Sequence, residues 1–288
     1  LRSIARVAAT GAPPSPATEA ALPGPGTAVH VAPVAANGPS VEELARKAQD
    51  PLADTKAIMT DNTIGFGTAN NETAYGFQIQ PVYSIPTDDK PFNLILRSVI
   101  PIIGAPVGAT IPRLSDDPIP DLGTKWGLSD IFLQSFWSPK SDAAIKWGIG
   151  PQISLKTRTS ERVGGPGWGG GISGVFFGAV GEFSYGALIN HHWGEENYNV
   201  TSLQPMIYYN LKLIPGAYLG YSNTTTYSWK AASGDRWQVP LGLIVGRTFA
   251  IGGKGHALDL NLGAYSLVAK PEDGADWQFK FAISWFIP

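Results

Sequence analysis

The sequence predicts an all-β protein: a twelve-stranded antiparallel transmembrane β-barrel behind a short N-terminal helix. Three observations predict it. First, large apolar residues alternate with small or polar ones. In "DWQFKFAISWF" (276–286), Trp277, Phe279, Phe281, Ile283 and Trp285 oppose Gln278, Lys280, Ala282 and Ser284. A strand has a side-chain period of two, so this segment carries one apolar and one polar face. Second, short turns alternate with longer polar loops along the chain, the layout of a membrane barrel with an even strand number. Third, tryptophans sit at segment ends: Trp137 and Trp285 near short turns, Trp193, Trp229, Trp237 and Trp277 near long loops. Two such belts read as aromatic girdles at the boundaries of an apolar band. Trp277 to Trp285 covers roughly 19 Å of height at ~3.3 Å per residue and ~45° tilt, close to the ~25 Å of such a band.

Composition narrows the function classes. A net charge of −2 and the lack of any basic run give no electrostatic case for nucleic acid. Cysteine is absent, so there is no disulfide framework and no thiolate chemistry. The longest charge-free apolar run, "SVIPIIGAPVGATIP" (98–112), is too short for a membrane helix and is broken by Gly and Pro. That leaves the barrel open, because closed sheets also satisfy every backbone group in lipid. The chain opens on Leu1 without a charged-then-apolar signal segment, which reads as a removed signal or a trimmed chain.

Taken in order, residues 1–38 form an Ala/Pro/Gly-rich leader with too little apolar surface to pack, hence flexible. Residues 39–55 hold a short amphipathic helix and a linker. Ser40 and Glu43 have capping-box spacing, and Val41, Leu44, Ala45 and Ala48 share one side, which a helix docked in or under a barrel would bury. Residues 56–288 form the barrel. Its short turns are "TDDK" (87–90), "KSDA" (140–143), "GE" (181–182), "LIPG" (213–216) and "GGKG" (252–255). With an even strand count both ends of the barrel face the periplasm, and the loops near 105–126 and 157–169 face outward. Pro81, Pro101, Pro151, Pro205 and Pro240 fall inside predicted strands. Proline cannot donate to a ladder, so these predict bulges or kinks, and a gap in the wall if they cluster on one side.

A soluble sandwich alternates too. Here, however, the polar face is rich in Gly and Gln, which suits a lumen better than a solvated sheet. Parity assigns Gln78, Gln80, Arg97, Lys146, Gln152, Gln204, Tyr208, Arg236, Gln238, Asp259, Asn261 and Lys280 to the lumen, with apolar Ile95, Val99, Leu188, Met206 and Ile244 among them. These residues either fill a narrow interior or line a path whose charge and radius set selectivity. Arg97, Lys146, Arg236 and Lys280 against Asp259 imply a mild anion preference.

Other chemistry finds weaker support. His191 and His192 in "NHHWGEEN" have no serine at short spacing, though a distant one could meet either in the fold. As strand neighbours they point to opposite faces and do not form a metal pair. Asp116, Asp117 and Asp121 match no calcium-loop spacing, and "GGPGWGGG" precedes no helix N-terminus that would cradle phosphate. No catalytic residue, metal or cofactor is expected.

Several ordered blocks carry a family resemblance: "RSVIPIIGAP", "GLSDIFLQSFWSPKSDAAIKWGIGPQISLKT", "LQPMIYYNL", "SGDRWQVPLGLIVGRTF" and "KPEDGADWQFKFAISWFIP". From about Ala48 to Pro288 the chain resembles the outer-membrane channel family linked to the meta-pathway of phenol degradation. The resemblance implies a twelve-stranded barrel in the outer membrane of Gram-negative bacteria that takes up small hydrophobic, often aromatic molecules. The partners expected are outer-membrane lipids, the barrel-assembly machinery and a small-molecule substrate. Two alternatives remain: an outer-membrane lipid or ester hydrolase, and an autotransporter-type translocator barrel.

Overall fold

The computed structural model describes residues 38–68, 71–87, 89–106, 124–141, 143–252 and 255–288. The leader up to residue 37, His30 within it, and the three aspartates of the long loop lie outside the described residues.

Helix α1 is Val41–Gln49. Ser40 Oγ accepts from the Glu43 backbone N–H, and Glu43 Oε2 accepts from the Ser40 N–H, a reciprocal cap that satisfies two otherwise free donors. Glu42 and Glu43 lie in the first turn and Arg46 and Lys47 in the last, matching the helix dipole. Asp50 ends the helix in an extended conformation just before Pro51.

The sheet segments are β1 (Lys56–Phe66), β2 (Thr73–Ile85), β3 (Phe92–Pro106), β4 (Thr124–Leu128), β5 (Ile131–Pro139), β6 (Ile145–Leu155), β7 (Gly169–Val180), β8 (Phe183–Trp193), β9 (Asn199–Asn210), β10 (Ala217–Ser222), β11 (Thr225–Ser228), β12 (Trp237–Ala250), β13 (Ala257–Ala269) and β14 (Trp277–Ile287). All pairings are antiparallel between neighbours, and β1 pairs β14 to close the barrel. Both β4 and β5 pair β3, and β10 and β11 share β9 and β12 as neighbours. Each couple is therefore one wall strand interrupted once, and the wall has twelve strands.

Prolines explain the interruptions. Pro101 faces the break between β4 and β5, where its carbonyl takes the Ser129 N–H at 2.8 Å. Pro205 faces the break between β10 and β11, Pro81 and Pro151 sit where the β2–β3 and β5–β6 ladders skip residues, and β12 slips register at Pro240. The five are spread over β2, β3, β6, β9 and β12, so they kink the wall rather than cut one gap in it. The longest unpaired stretch runs between Gly220↔Ile244 and Thr226↔Gln238. There Tyr221 donates its hydroxyl to Pro240 O at 2.6 Å, and Tyr265 donates to Ser222 O at 3.0 Å. Side chains thus replace the missing ladder bonds.

The closing seam uses the same device. The β1–β14 ladder skips Thr60 and Asp61. Thr60 Oγ1 accepts from Ile283 N and donates to Ile283 O, both at 3.0 Å. Thr60→Val leaves that backbone pair without a partner at the interruption of the ladder. It is expected to lower the unfolding free energy by about 1–3 kcal/mol. Urea unfolding of the protein refolded into lipid vesicles checks this.

Ile145, Trp147, Ile149 and Ile153 on β6, and Leu241, Leu243 and Val245 on β12, are exposed on the outer face. In water such a surface would be an aggregation liability; against lipid it is the solvated side. All nine tryptophans are at least two-fifths exposed. Trp137, Trp147 and Trp285 lie toward the short turns, and Trp126, Trp168, Trp193, Trp229, Trp237 and Trp277 toward the long loops. Inward glycines make room for rings: a Cβ at Gly246 would meet the Tyr218 ring at 2.2 Å, and one at Gly220 would meet Tyr208 at 2.9 Å. Ile95, Phe136, Val175, Phe177, Leu188, Met206 and Ile244 pack with these tyrosines inside the barrel.

Candidate functional site

Two chambers occupy the barrel interior. The inner one, nearer the short turns, spans about 1330 Å³ counting its open mouth, and the outer one about 1210 Å³. The inner wall is largely apolar: Ile95, Phe136, Val175, Met206 and Ile244, with Tyr208 and Tyr218. Ala48–Thr55, the end of α1 and its linker, forms the floor. The outer wall is rich in amides and hydroxyls, among them Gln78, Gln134, Gln152, Asn190 and Ser202, under a roof of Val163, Gly165 and Pro166.

Six residues line both chambers and so form a waist: Asp61, Gln80, Arg97, Leu188, Gln204 and Lys280. Lys280 Nζ pairs with Asp61 Oδ2 at 2.9 Å. Arg97 is held differently. Its Nη2 donates to Gln80 Oε1 at 2.6 Å and its Nη1 to Gln134 Oε1 at 3.3 Å. Both amides pass their own N–H groups outward, Gln80 to Gln78 Oε1 at 2.7 Å and Gln134 to Gln152 Oε1 at 2.9 Å and Asn190 Oδ1 at 3.2 Å. Oxygen ends point toward the guanidinium and nitrogen ends away, so the belt both steadies the cation and fixes its rotamer. Among the described residues Arg97 forms no ion pair.

A second buried charge sits in the inner wall. Asp259 accepts from Tyr218 OH at 2.8 Å, Thr248 Oγ1 at 2.7 Å and Asn261 Nδ2 at 3.3 Å. Three donors compensate the carboxylate for its lost hydration.

Nine of the residues assigned inward by parity line the chambers: Gln78, Gln80, Arg97, Gln152, Gln204, Tyr208, Asp259, Asn261 and Lys280. Apolar Ile95, Val99, Leu188, Met206 and Ile244 do so as well. Three do not. Lys146 sits at the inner rim, 2.7 Å from Asp50 below α1. Arg236 precedes β12 and donates to Ala231 O and Tyr227 OH in the outer turn. Gln238 lies at the outer rim opposite Thr226. Parity fixes the side of the wall but not the height, and all three lie at strand ends. The anion preference was expected from four cations. Lys146 and Lys280 each have a carboxylate and Arg236 belongs to a loop, which leaves Arg97.

Asp61, Gln134, Asn190 and Tyr218 were missed by sequence reasoning. Gln134 sits in "IFLQSFW", where Phe132 and Phe136 are inward and Leu133 and Trp137 outward, so both faces are apolar and hydropathy cannot set the parity. Asp61 sits in "KAIMTDNTIGF" between polar Thr60 and Asn62, so hydropathy does not separate the two faces there. Its one readable signal is a lone carboxylate inside a strand.

The fold also brings Ser154 to His192 Nε2, at 2.9 Å, a meeting not visible locally in "NHHWGEEN". Ser154 Oγ donates to Gly167 O at 2.7 Å. The hydroxyl is thus already engaged with a carbonyl, and the buried Nδ1 has no partner. A serine nucleophile needs the opposite arrangement, a hydroxyl free to donate to Nε2 and an orienter on Nδ1. His191 turns to the other face, where Thr201 and Trp193 hold it.

The roof is locked by a buried ion pair. Asp130, fully buried, accepts from the backbone N–H groups of Thr157, Arg158 and Gly167 and from Arg158 Nη1 at 3.0 Å. Beside it Lys156 meets Glu195 at 2.6 Å, and that hydrogen bond holds the exposed Glu195 carboxyl below the usual carboxylate range.

No protein-family model and no curated protein matches this chain. Solved structures do resemble it. The outer membrane channel COG4313 from Pseudomonas putida F1 superposes with a TM-score of 0.56 at 14% identity, covering 81% of this chain and 95% of that one. Outer membrane phospholipase A from Escherichia coli gives a TM-score of 0.44 at 13% identity over 86% of this chain and 98% of its own. At such identity the first likeness speaks for the fold: this chain has the fold of a twelve-stranded outer-membrane β-barrel.

Proposed function

We propose that this protein is a passive channel in the outer membrane of Gram-negative bacteria for small hydrophobic or aromatic molecules. The observation that carries the reading is the pair of chambers joined at one waist, apolar on the inner side and amide-lined on the outer. A molecule entering from the outer mouth exchanges water for amide and hydroxyl partners. It then passes the waist and reaches an apolar chamber that favours a carbon-rich body. The likeness to an outer membrane channel supports the role, and the family resemblance supports aromatic cargo. Ser154 Oγ is engaged with Gly167 O and His192 Nδ1 lacks an orienting partner, which favours the channel over a hydrolase.

The test is single-channel recording of the purified protein in a planar bilayer, alongside flux of a neutral aromatic into proteoliposomes. Small discrete openings with measurable aromatic flux are expected. Folded, inserted protein that passes neither ions nor the aromatic would overturn the channel reading. Ester hydrolysis that vanishes in His192→Gln would replace it with the hydrolase.

A further inference from the structure

We infer that the waist is a binding site for the carboxylate of an aryl monocarboxylic acid, with Arg97 holding the head group and the inner chamber holding the ring. The inference rests on the channel reading for how the ligand arrives, and on the waist geometry for its chemistry.

The first support is the state of Arg97. A guanidinium has five N–H donors. Two are spent on Gln80 and Gln134, which leaves three among the described residues. Its two partners are neutral carbonyl oxygens, so the positive charge is braced without being cancelled. Lys280, the other cation of the waist, already has Asp61. An arginine held in place by amides, with Asp61 acting on it at longer range and no carboxylate in ion-pair contact among the described residues, matches the planar, two-oxygen geometry of a carboxylate head group.

The second support is what surrounds it. Leu188 lines both chambers, and on the inner side Ile95, Phe136, Val175 and Met206 continue from the waist as an apolar wall. A head group at Arg97 therefore has its body directed into carbon, and burying one ring there gains favourable transfer energy. The third support is the limit on charge. Asp61 at the waist and Asp259 in the inner wall are both carboxylates. A ligand with a second negative charge would meet them, so one carboxylate is the number the site takes.

The comparison that isolates the claim is benzoate against benzamide, near-identical in shape but differing in charge. Binding to the detergent-solubilised full chain can be followed by ligand-observed NMR, which does not require the protein to conduct. Wild type is expected to bind benzoate about tenfold or more tightly than benzamide. Arg97→Gln should bring the two compounds to similar affinity, and an unchanged urea unfolding midpoint reports that the barrel is still folded. Arg97→Lys should recover part of it, because the charge returns without the fork. Equal binding of the two compounds by wild type, or benzoate binding undiminished in Arg97→Gln, would sink the proposal. Benzoate bound through Arg97 by a protein that passes no current would keep the site and discard the channel.

Discussion

Replacing Asp130 with alanine is expected to lower the unfolding free energy of the barrel by about 3–5 kcal/mol. The reason is what the change leaves behind. Arg158, whose side chain is only 2% exposed, would keep its charge and lose the carboxylate 3.0 Å away. Glu161 and Glu196 also approach it, but both are more than half exposed and so partly screened by water. Three backbone N–H groups, those of Thr157, Arg158 and Gly167, would lose their acceptor. An orphaned buried donor costs more than the bond it formed is worth on balance. Asp130→Asn keeps the shape, retains one oxygen acceptor and removes the charge, so it should fall between alanine and wild type. Urea unfolding in lipid vesicles, read by the girdle tryptophans, checks the order. Equal midpoints for all three would mean the roof is held by other contacts. Because Val163, Gly165 and Pro166 cover the outer chamber, the same substitution should also make openings noisier in bilayer recordings.

Asp130 also shows the limit of reading this chain from its residues. The barrel was legible because a wall between lipid and lumen imposes period two on almost every strand. Trp277, Ile283 and Trp285 on β14 and Leu260 and Leu262 on β13 obey it, all exposed on the outer face. The cap of α1 was legible because Ser40 and Glu43 interact three residues apart. Asp130 was not legible, because its partners lie about 28 and 37 residues away and meet it only through a break in the wall opposite Pro101. The same holds at the waist. Parity placed Arg97 inside, but its meaning depends on which cations have found carboxylates. Lys280 meets Asp61 only because the last strand closes on the first, 219 residues earlier. Charges counted along a sequence cannot show such cancellation. The prolines were read correctly as kinks, whereas the clustering that would make a gap depends on strand order around the closed barrel.

Leu44→Asp is expected to release the helix from the inner mouth and raise single-channel conductance several-fold. Leu44 is 4% exposed and packs with Ala57, Ala257 and Phe286. Losing that burial costs about 1.5–3 kcal/mol, and a carboxylate placed there has no partner to offset its desolvation. Ala45 is the other buried apolar side chain of the helix, Leu52 pins the linker into the core, and the remaining anchors are polar. Arg46 donates to Gly181 O, Gln49 Nε2 donates to Asn210 Oδ1 at 2.9 Å, and Asp50 pairs with Lys146, which is 46% exposed. Polar contacts of this kind contribute about 0.5–1.5 kcal/mol each, too little to hold the helix against a buried charge. The helix and its linker form the floor of the inner chamber, so undocking them widens the inner mouth without touching the waist. Ion selectivity set at Arg97 should therefore persist while conductance rises. Leu44→Met keeps the apolar contact at similar volume and should behave as wild type. Limited proteolysis near Arg46 reports undocking independently of current. A variant that is cleaved there yet conducts as wild type would show that the waist, not the helix, limits flow.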